Sequence, residues 1–186
     1  MSGIKILHAP IINQELNPLK AGDAVYLTGT IFTARDAAHK RIFKMIKEGK
    51  PIPVDLKNQV IYYTGPSPAK PGQVIGSCGP TTSSRMDVYT PLLLERGLKA
   101  MIGKGPRSRE VIESMVKHGA VYLAAVGGTG ALMASCIKHV EAVAFEDLGP
   151  EAIYRLQVEN MPLMVAIDSE GNNLYETGPR CYSQIE

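Results

Sequence analysis

Apolar positions along the chain switch between two rhythms. Residues 24–32, Ala-Val-Tyr-Leu-Thr-Gly-Thr-Ile-Phe, mix β-branched and aromatic side chains and predict a strand. Residues 34–47 then predict a helix, because Ala38, Ile42, Met45 and Ile46 recur at helical spacing before Gly49 and Pro51 stop it. A second strand is predicted at 59–63, followed by a breaker-rich loop over 65–72. From Gly97 onward strand and helix alternate. Strands are predicted at 99–102, 121–126, 142–145 and 163–167, helices at 108–117, 129–137 and 150–158, and a turn at 168–171. This half reads as a wound α/β layer, and the strand- and proline-rich N-terminal third as a second, more β-like layer on the same core.

The chain has 186 residues, of which 45% are hydrophobic, enough for one well-buried core, so a single domain over 1–186 is expected. Tryptophan is absent, while Gly (18) and Pro (13) are plentiful, which favours short elements and an α/β or α+β layout over a helical bundle. Twenty basic and eighteen acidic residues are scattered, so nothing points to nucleic acid. No apolar run is long enough to cross a bilayer and Met1-Ser2-Gly3-Ile4-Lys5 does not lead into a signal-peptide core, so a cytoplasmic protein is expected. Cys78, Cys136 and Cys181 form neither a disulfide framework nor a metal or cluster spacing. Only Cys78 lies beside residues of chemical interest.

Those residues are Gly79-Pro80-Thr81-Thr82-Ser83-Ser84-Arg85-Met86-Asp87, where hydroxyls and an arginine crowd what reads as a strand-to-helix junction. Free N–H groups, a helix dipole, Thr hydroxyls and Arg85 together could hold a carboxylate or phosphate. The alternative is that Ser83 or Ser84 caps a helix while Arg85 pairs with Asp87. A second junction runs from Thr28 through Arg35-Asp36-Ala37-Ala38-His39. Arg35 at a helix start opposes the dipole, so helix electrostatics do not explain it and an anion is one candidate reason, whereas Asp36 suits the dipole and His39 reads as structural or exposed. Gly103-Lys104-Gly105 puts a lysine between glycines at a strand end, where open α/β sheets bind ligands, although a loop lysine is more commonly just solvated. Gly127-Gly128-Thr129-Gly130 lacks both the dinucleotide spacing and the Walker lysine and reads as a packing turn.

Taken in order, Gly29-Thr30-Ile31, Arg35 to His39, Gly79 to Asp87 and Gly103-Lys104-Gly105 closely resemble the β subunit of class I fumarate hydratase, a pattern shared with the β subunit of L-tartrate dehydratase. The resemblance continues through Gly127-Gly128, the 144–149 segment and 162–168. It implies a swivelling β/β/α fold, a layered sheet with helices, closing over an α subunit that carries a 4Fe-4S cluster. It also implies reversible hydration of fumarate to L-malate, or dehydration of tartrate to oxaloacetate, with no activity in the absence of the α subunit. A homo-oligomer of such heterodimers is a further expectation. By the same resemblance Arg35, Thr81, Thr82, Arg85 and Lys104 bind the dicarboxylate, and Thr81 is a candidate for proton transfer. Ser83-Ser84 depart from the small residues many relatives carry there, and the added hydroxyls could alter substrate choice.

Overall fold

The computed structural model describes residues 4–126 and 128–182. Its elements, in chain order, are β1 (Lys5–Ala9), α1 (Asn13–Leu16), β2 (Ala24–Thr33), α2 (Asp36–Lys47), β3 (Val60–Tyr62), a 3-10 turn (Ser83–Met86), α3 (Thr90–Glu95), β4 (Ala100–Gly103), α4 (Arg109–His118), β5 (Val121–Ala124), α5 (Gly130–Ser135), β6 (Ile137–Ala144), a 3-10 segment (Glu146–Glu151), β7 (Ile153–Ile167) and α6 (Leu174–Tyr182). The strands pair in the order β1-β2-β3-β4-β5-β7-β6, and an additional β2–β7 ladder closes the run from β2 to β7 on itself. Pairings from β1 through β5 are parallel, and those made by β7 are antiparallel. β2 meets β1 along residues 25–29 and β3 at its far end, while β7 meets β6 through its first half and β5 through its last.

Two cores define three layers. Within β3, β4 and β5, Val60, Tyr62, Ala100, Ile102, Val121 and Leu123 face one core, and Ile61, Met101 and Tyr122 face the other. The first core lies between strands, with Leu7, Leu27, Leu156 and Val165 opposite. The second lies under the helices, with Ala38, Ile42, Ile46, Leu93, Val111 and Met115. Strands buried on both faces read as unbroken apolar runs, which is why β3, β4 and β5 were recognisable in the sequence. Each Leu or Ile so buried contributes about 1.5–3 kcal/mol.

α2 starts with Asp36 and ends with Lys44 and Lys47, charges that suit the macrodipole, and Gly49 follows at φ +67°. α4 is capped by the Ser108 hydroxyl, which accepts from the Val111 N–H at 3.4 Å, and closes on Gly119 at φ +60°.

Several expectations are corrected. Residues 150–158 are not a helix: the 3-10 segment ends at Glu151 and β7 begins at Ile153. Ile153 and Leu156 are three apart and mimic a helical face, but pairing with β2 on one side and β6 on the other satisfies the backbone as strand. β6 begins at Ile137, earlier than predicted, and α5 is correspondingly short. β1, where buried Leu7 alternates with exposed Ile6, was not anticipated. Gly29 sits at φ +119° in a β2 irregularity where a Cβ would fall 2.1 Å from the Ala9 carbonyl oxygen, so the backbones of β1 and β2 approach too closely for any side chain.

Candidate active site

The parallel strands β2, β3 and β4 finish on one edge, the usual location for ligands in such sheets. The Thr81-Thr82 pair joins that edge as a short extra strand. The Thr81 N–H donates to the Tyr63 carbonyl at 2.7 Å, the Lys104 N–H to the Thr81 carbonyl at 3.3 Å, and the Ser83 N–H to the Lys104 carbonyl at 2.9 Å. Thr82 and Lys104 thereby form a parallel bridge that fixes two of the anticipated residues side by side. Upstream, the Tyr62 hydroxyl donates to the Cys78 carbonyl at 2.6 Å and the Thr64 hydroxyl to the Gly79 carbonyl at 2.7 Å, pinning the approach to Thr81.

The anticipated helix-dipole site is absent at this junction. A four-residue 3-10 turn follows Thr82, and α3 starts only at Thr90. The Thr81 and Ser83 N–H groups are spent on Tyr63 and Lys104 and are not available to an anion.

Packing behind Lys104 is tight. A Cβ on Gly103 would lie 1.9 Å from the Ser83 hydroxyl oxygen. That hydroxyl is 2.8 Å from the Tyr122 hydroxyl, which donates to the Gly105 carbonyl at 3.0 Å, so Ser83 is the donor to Tyr122. Burial raises the Tyr122 pKa well above the ordinary phenol value, and its hydroxyl stays protonated. Ser83 is fully buried and committed to Tyr122, which removes it from the substrate-selecting role its hydroxyl suggested; Ser84 remains exposed.

Arg35 occupies the N-cap of α2 and its side chain is 24% exposed. Its Nη2 lies 3.5 Å from Glu151 Oε1 and 3.7 Å from Asp36 Oδ2, and its Nη1 would be 2.9 Å from a Cβ on Gly65. Arg85 does not pair with Asp87. Its Nε donates to Asp36 Oδ1 at 2.8 Å and its Nη2 is 2.8 Å from Asp36 Oδ2. Asp87 instead accepts from Arg107 Nε at 2.7 Å and from the Ser108 N–H at 2.6 Å. Arg107 is buried between the Tyr63 and Tyr122 rings and donates to the Thr90 hydroxyl at 2.8 Å. Burial opposes its charge, but Tyr63, Asp87 and Tyr122 more than offset that and hold its pKa above the ordinary value. Sequence reasoning missed Arg107, whose partner lies twenty residues away and carries no local signal.

The structure therefore gathers Thr81, Thr82 and Lys104 through backbone pairing, and Arg35 and Arg85 through Asp36. The 3-10 turn that carries Arg85 follows Thr82 directly and links the two groups. Thr82, Arg85 and Lys104 are exposed and Thr81 and Arg35 half-buried, so the cluster is an open face. A cavity of about 470 Å³ between residues 70–77 and α5 includes none of the five. Among the described residues the Thr81 hydroxyl has no hydrogen-bond partner.

His39 is fully buried. Its Nδ1 is 2.9 Å from the Arg35 carbonyl and its ring packs edge-on against Tyr63. Burial pushes its pKa down to about 4, only partly opposed by the Arg35 hydrogen bond, so the ring is neutral near pH 7 and supports the start of α2. Cys78 is buried beside Thr64, and burial raises its thiol to about 11, which makes it a poor nucleophile. Cys136 is buried as well, and the Cys181 side chain lies outside the described residues. Among the described residues no group of three or more His, Cys, Asp or Glu could hold a metal ion, so these residues do not fit an iron–sulfur cluster. No described helix is long and apolar enough to cross a membrane.

The family model described as fumarase C-terminus matches residues 3–178. The chain belongs to the fumarase C-terminus family. Fumarate hydratase 1, mitochondrial, of Leishmania major is 41% identical over 169 residues, covering 90% of this chain but 31% of that protein. The anaerobic class I fumarate hydratase of Escherichia coli is 40% identical over 164 residues, 87% of this chain and 30% of that enzyme. The chain thus spans about a third of the length of these fumarate hydratases. The "Putative L(+)-tartrate dehydratase subunit beta" of Methanocaldococcus jannaschii is 44% identical over 172 residues, 89% of this chain and 88% of that protein. The layered α/β architecture is what the fumarase C-terminal resemblance implied.

Proposed function

We propose that this chain is the β subunit of a hydro-lyase that reversibly hydrates fumarate to L-malate, contributing half of a site completed by an α subunit. The observation that supports this reading is the backbone pairing of Thr81-Thr82 with Lys104, joined through the short turn after Thr82 to Arg85 and, around Asp36, to Arg35, in a family whose relatives include class I fumarate hydratases. Three cations set against Asp36 and Glu151 leave the edge one charge positive. That arrangement suits a dianion bound as a partner closes and water leaves.

In this reading Arg35 and Arg85 present planar N–H pairs to carboxylates, Lys104 adds a point charge, and Thr82 donates a hydroxyl hydrogen bond. Thr81 binds the substrate as well and is the candidate for relaying a proton. An alcohol is a weak acid, so groups of the α subunit must activate it. The 4Fe-4S cluster belongs to that α subunit, and no step assigned to this chain passes through it. The assembly is cytoplasmic and forms a homo-oligomer of αβ pairs.

A second reading keeps the site and changes the acid: L-tartrate dehydrated to oxaloacetate. The 44% identity to the putative tartrate dehydratase β subunit supports weighing this acid beside fumarate. Co-expression with the α partner under anaerobic conditions, followed by malate and oxaloacetate assays, separates the two. A loaded complex inactive on both acids leaves a non-catalytic dicarboxylate-binding domain.

A further inference from the structure

We propose that Asp36 is a positioning residue for the substrate arginines, a role that rests on the dicarboxylate reading above. As a first-turn acid, Asp36 is explained by helix electrostatics alone, but its carboxylate, 31% exposed, is turned toward two arginines. It sits between the two arginines, with Oδ1 accepting from Arg85 Nε at 2.8 Å and Oδ2 2.8 Å from Arg85 Nη2 and 3.7 Å from Arg35 Nη2. Glu151 completes the arrangement, its Oε1 3.5 Å from Arg35 Nη2 and its Oε2 accepting the Ala37 N–H at 2.8 Å.

A guanidinium has five N–H donors in a fixed plane. Asp36 engages the Nε and Nη2 side of Arg85, which leaves the Nη1 and Nη2 end free for a carboxylate in the same plane. Arg85 is 51% exposed on a short turn, and Asp36 is the residue that restricts where this end points. The same carboxylate offsets the repulsion between two guanidinium groups that must both face one dianion. Asp36 touches no reacting atom and acts through Arg85.

The test is a double-mutant cycle in the assembled, cluster-loaded complex, using Asp36→Asn and Arg85→Ala singly and together. Asp36→Asn keeps the shape but places an amide donor against an arginine donor. It is expected to raise KM by about tenfold with a smaller change in kcat, and to change kcat/KM less than twofold in the Arg85→Ala background. An equal loss in both backgrounds, or no loss in either, overturns the positioning role. If Arg85→Ala itself leaves kinetics unchanged, the dicarboxylate reading fails separately. The Asp36–Arg85 restraint is then read in the full chain from the arginine Nε–H signal by NMR. A slowly exchanging Arg85 signal lost in Asp36→Asn supports the restraint, and a signal identical in both proteins overturns it.

Discussion

Gly103→Ala tests the packing that holds Lys104 against Thr82. Gly103 needs no unusual φ; it lacks space. The new methyl would sit 1.9 Å from Ser83 Oγ, 3.1 Å from Tyr63 Cδ2 and 3.3 Å from Ser83 Cβ. Forcing it in requires Ser83 to leave its 2.8 Å bond to Tyr122. Overpacking costs about 1–3 kcal/mol and the lost hydrogen bond about 0.5–1.5 kcal/mol, so an overall loss of about 2–4 kcal/mol is expected in urea unfolding followed by circular dichroism. Ser83→Ala alone should cost only about 1 kcal/mol, because Tyr122 keeps its bond to the Gly105 carbonyl. With the hydroxyl gone, the worst clash disappears. The double variant should be at least about 1 kcal/mol more stable than the sum of the two single losses predicts. Additivity within about 0.5 kcal/mol would refute the claim that Ser83 is what excludes a side chain at Gly103.

Other substitutions separate structural from chemical roles. Arg107→Lys should destabilise by about 3 kcal/mol, since a lysine lacks the planar fork that reaches Asp87 through Nε and Thr90 through Nη2 while lying over the Tyr63 and Tyr122 rings; a melting temperature within a degree of the parent would contradict this. His39 has a folded pKa of about 4, below its unfolded value, so the stability it contributes is complete above about pH 6.5 and is lost as pH falls toward 4. That loss is about 3 kcal/mol by linkage, and His39→Asn should flatten the slope between pH 7 and 4.5. An unchanged slope would show that other groups control it. Thr81→Val keeps the shape and removes the hydroxyl, so kcat of the loaded complex should fall by about 100-fold or more, a loss larger than any rise in KM from the lost binding contact. Unaltered kcat would remove Thr81 from proton transfer.

The legible part of the fold was the part where pattern and burial coincide. β3, β4 and β5 are apolar on both faces, and α2 and α4 carry helical spacing with well-matched ends. β7 was illegible at its start because Ile153 and Leu156 fit a helix as well as a strand, and only the distant partners β2 and β6 decide between them. At the site, Arg35 and Lys104 stood out locally, one against the helix dipole and the other between glycines. The connections among these residues did not. Arg85 and Asp36 are 49 residues apart, and the Ser83–Tyr122 bond spans 39. Pairings of that range leave no local trace, so in the sequence Asp87 was the one visible alternative partner for Arg85 and nothing pointed to the Ser83–Tyr122 bond.

The central claim is that Arg35 and Arg85 form the carboxylate clamp of a fumarate-hydrating complex. Its most direct test is anaerobic turnover of fumarate by the α-subunit complex carrying the parent chain, Arg35→Ala or Arg85→Ala. The parent should form malate, and each variant should lose about 1.5–3 kcal/mol in kcat/KM, roughly 10- to 150-fold, with unchanged folding. A loaded complex that ignores fumarate, or variants that hydrate it as fast as the parent, would contradict it.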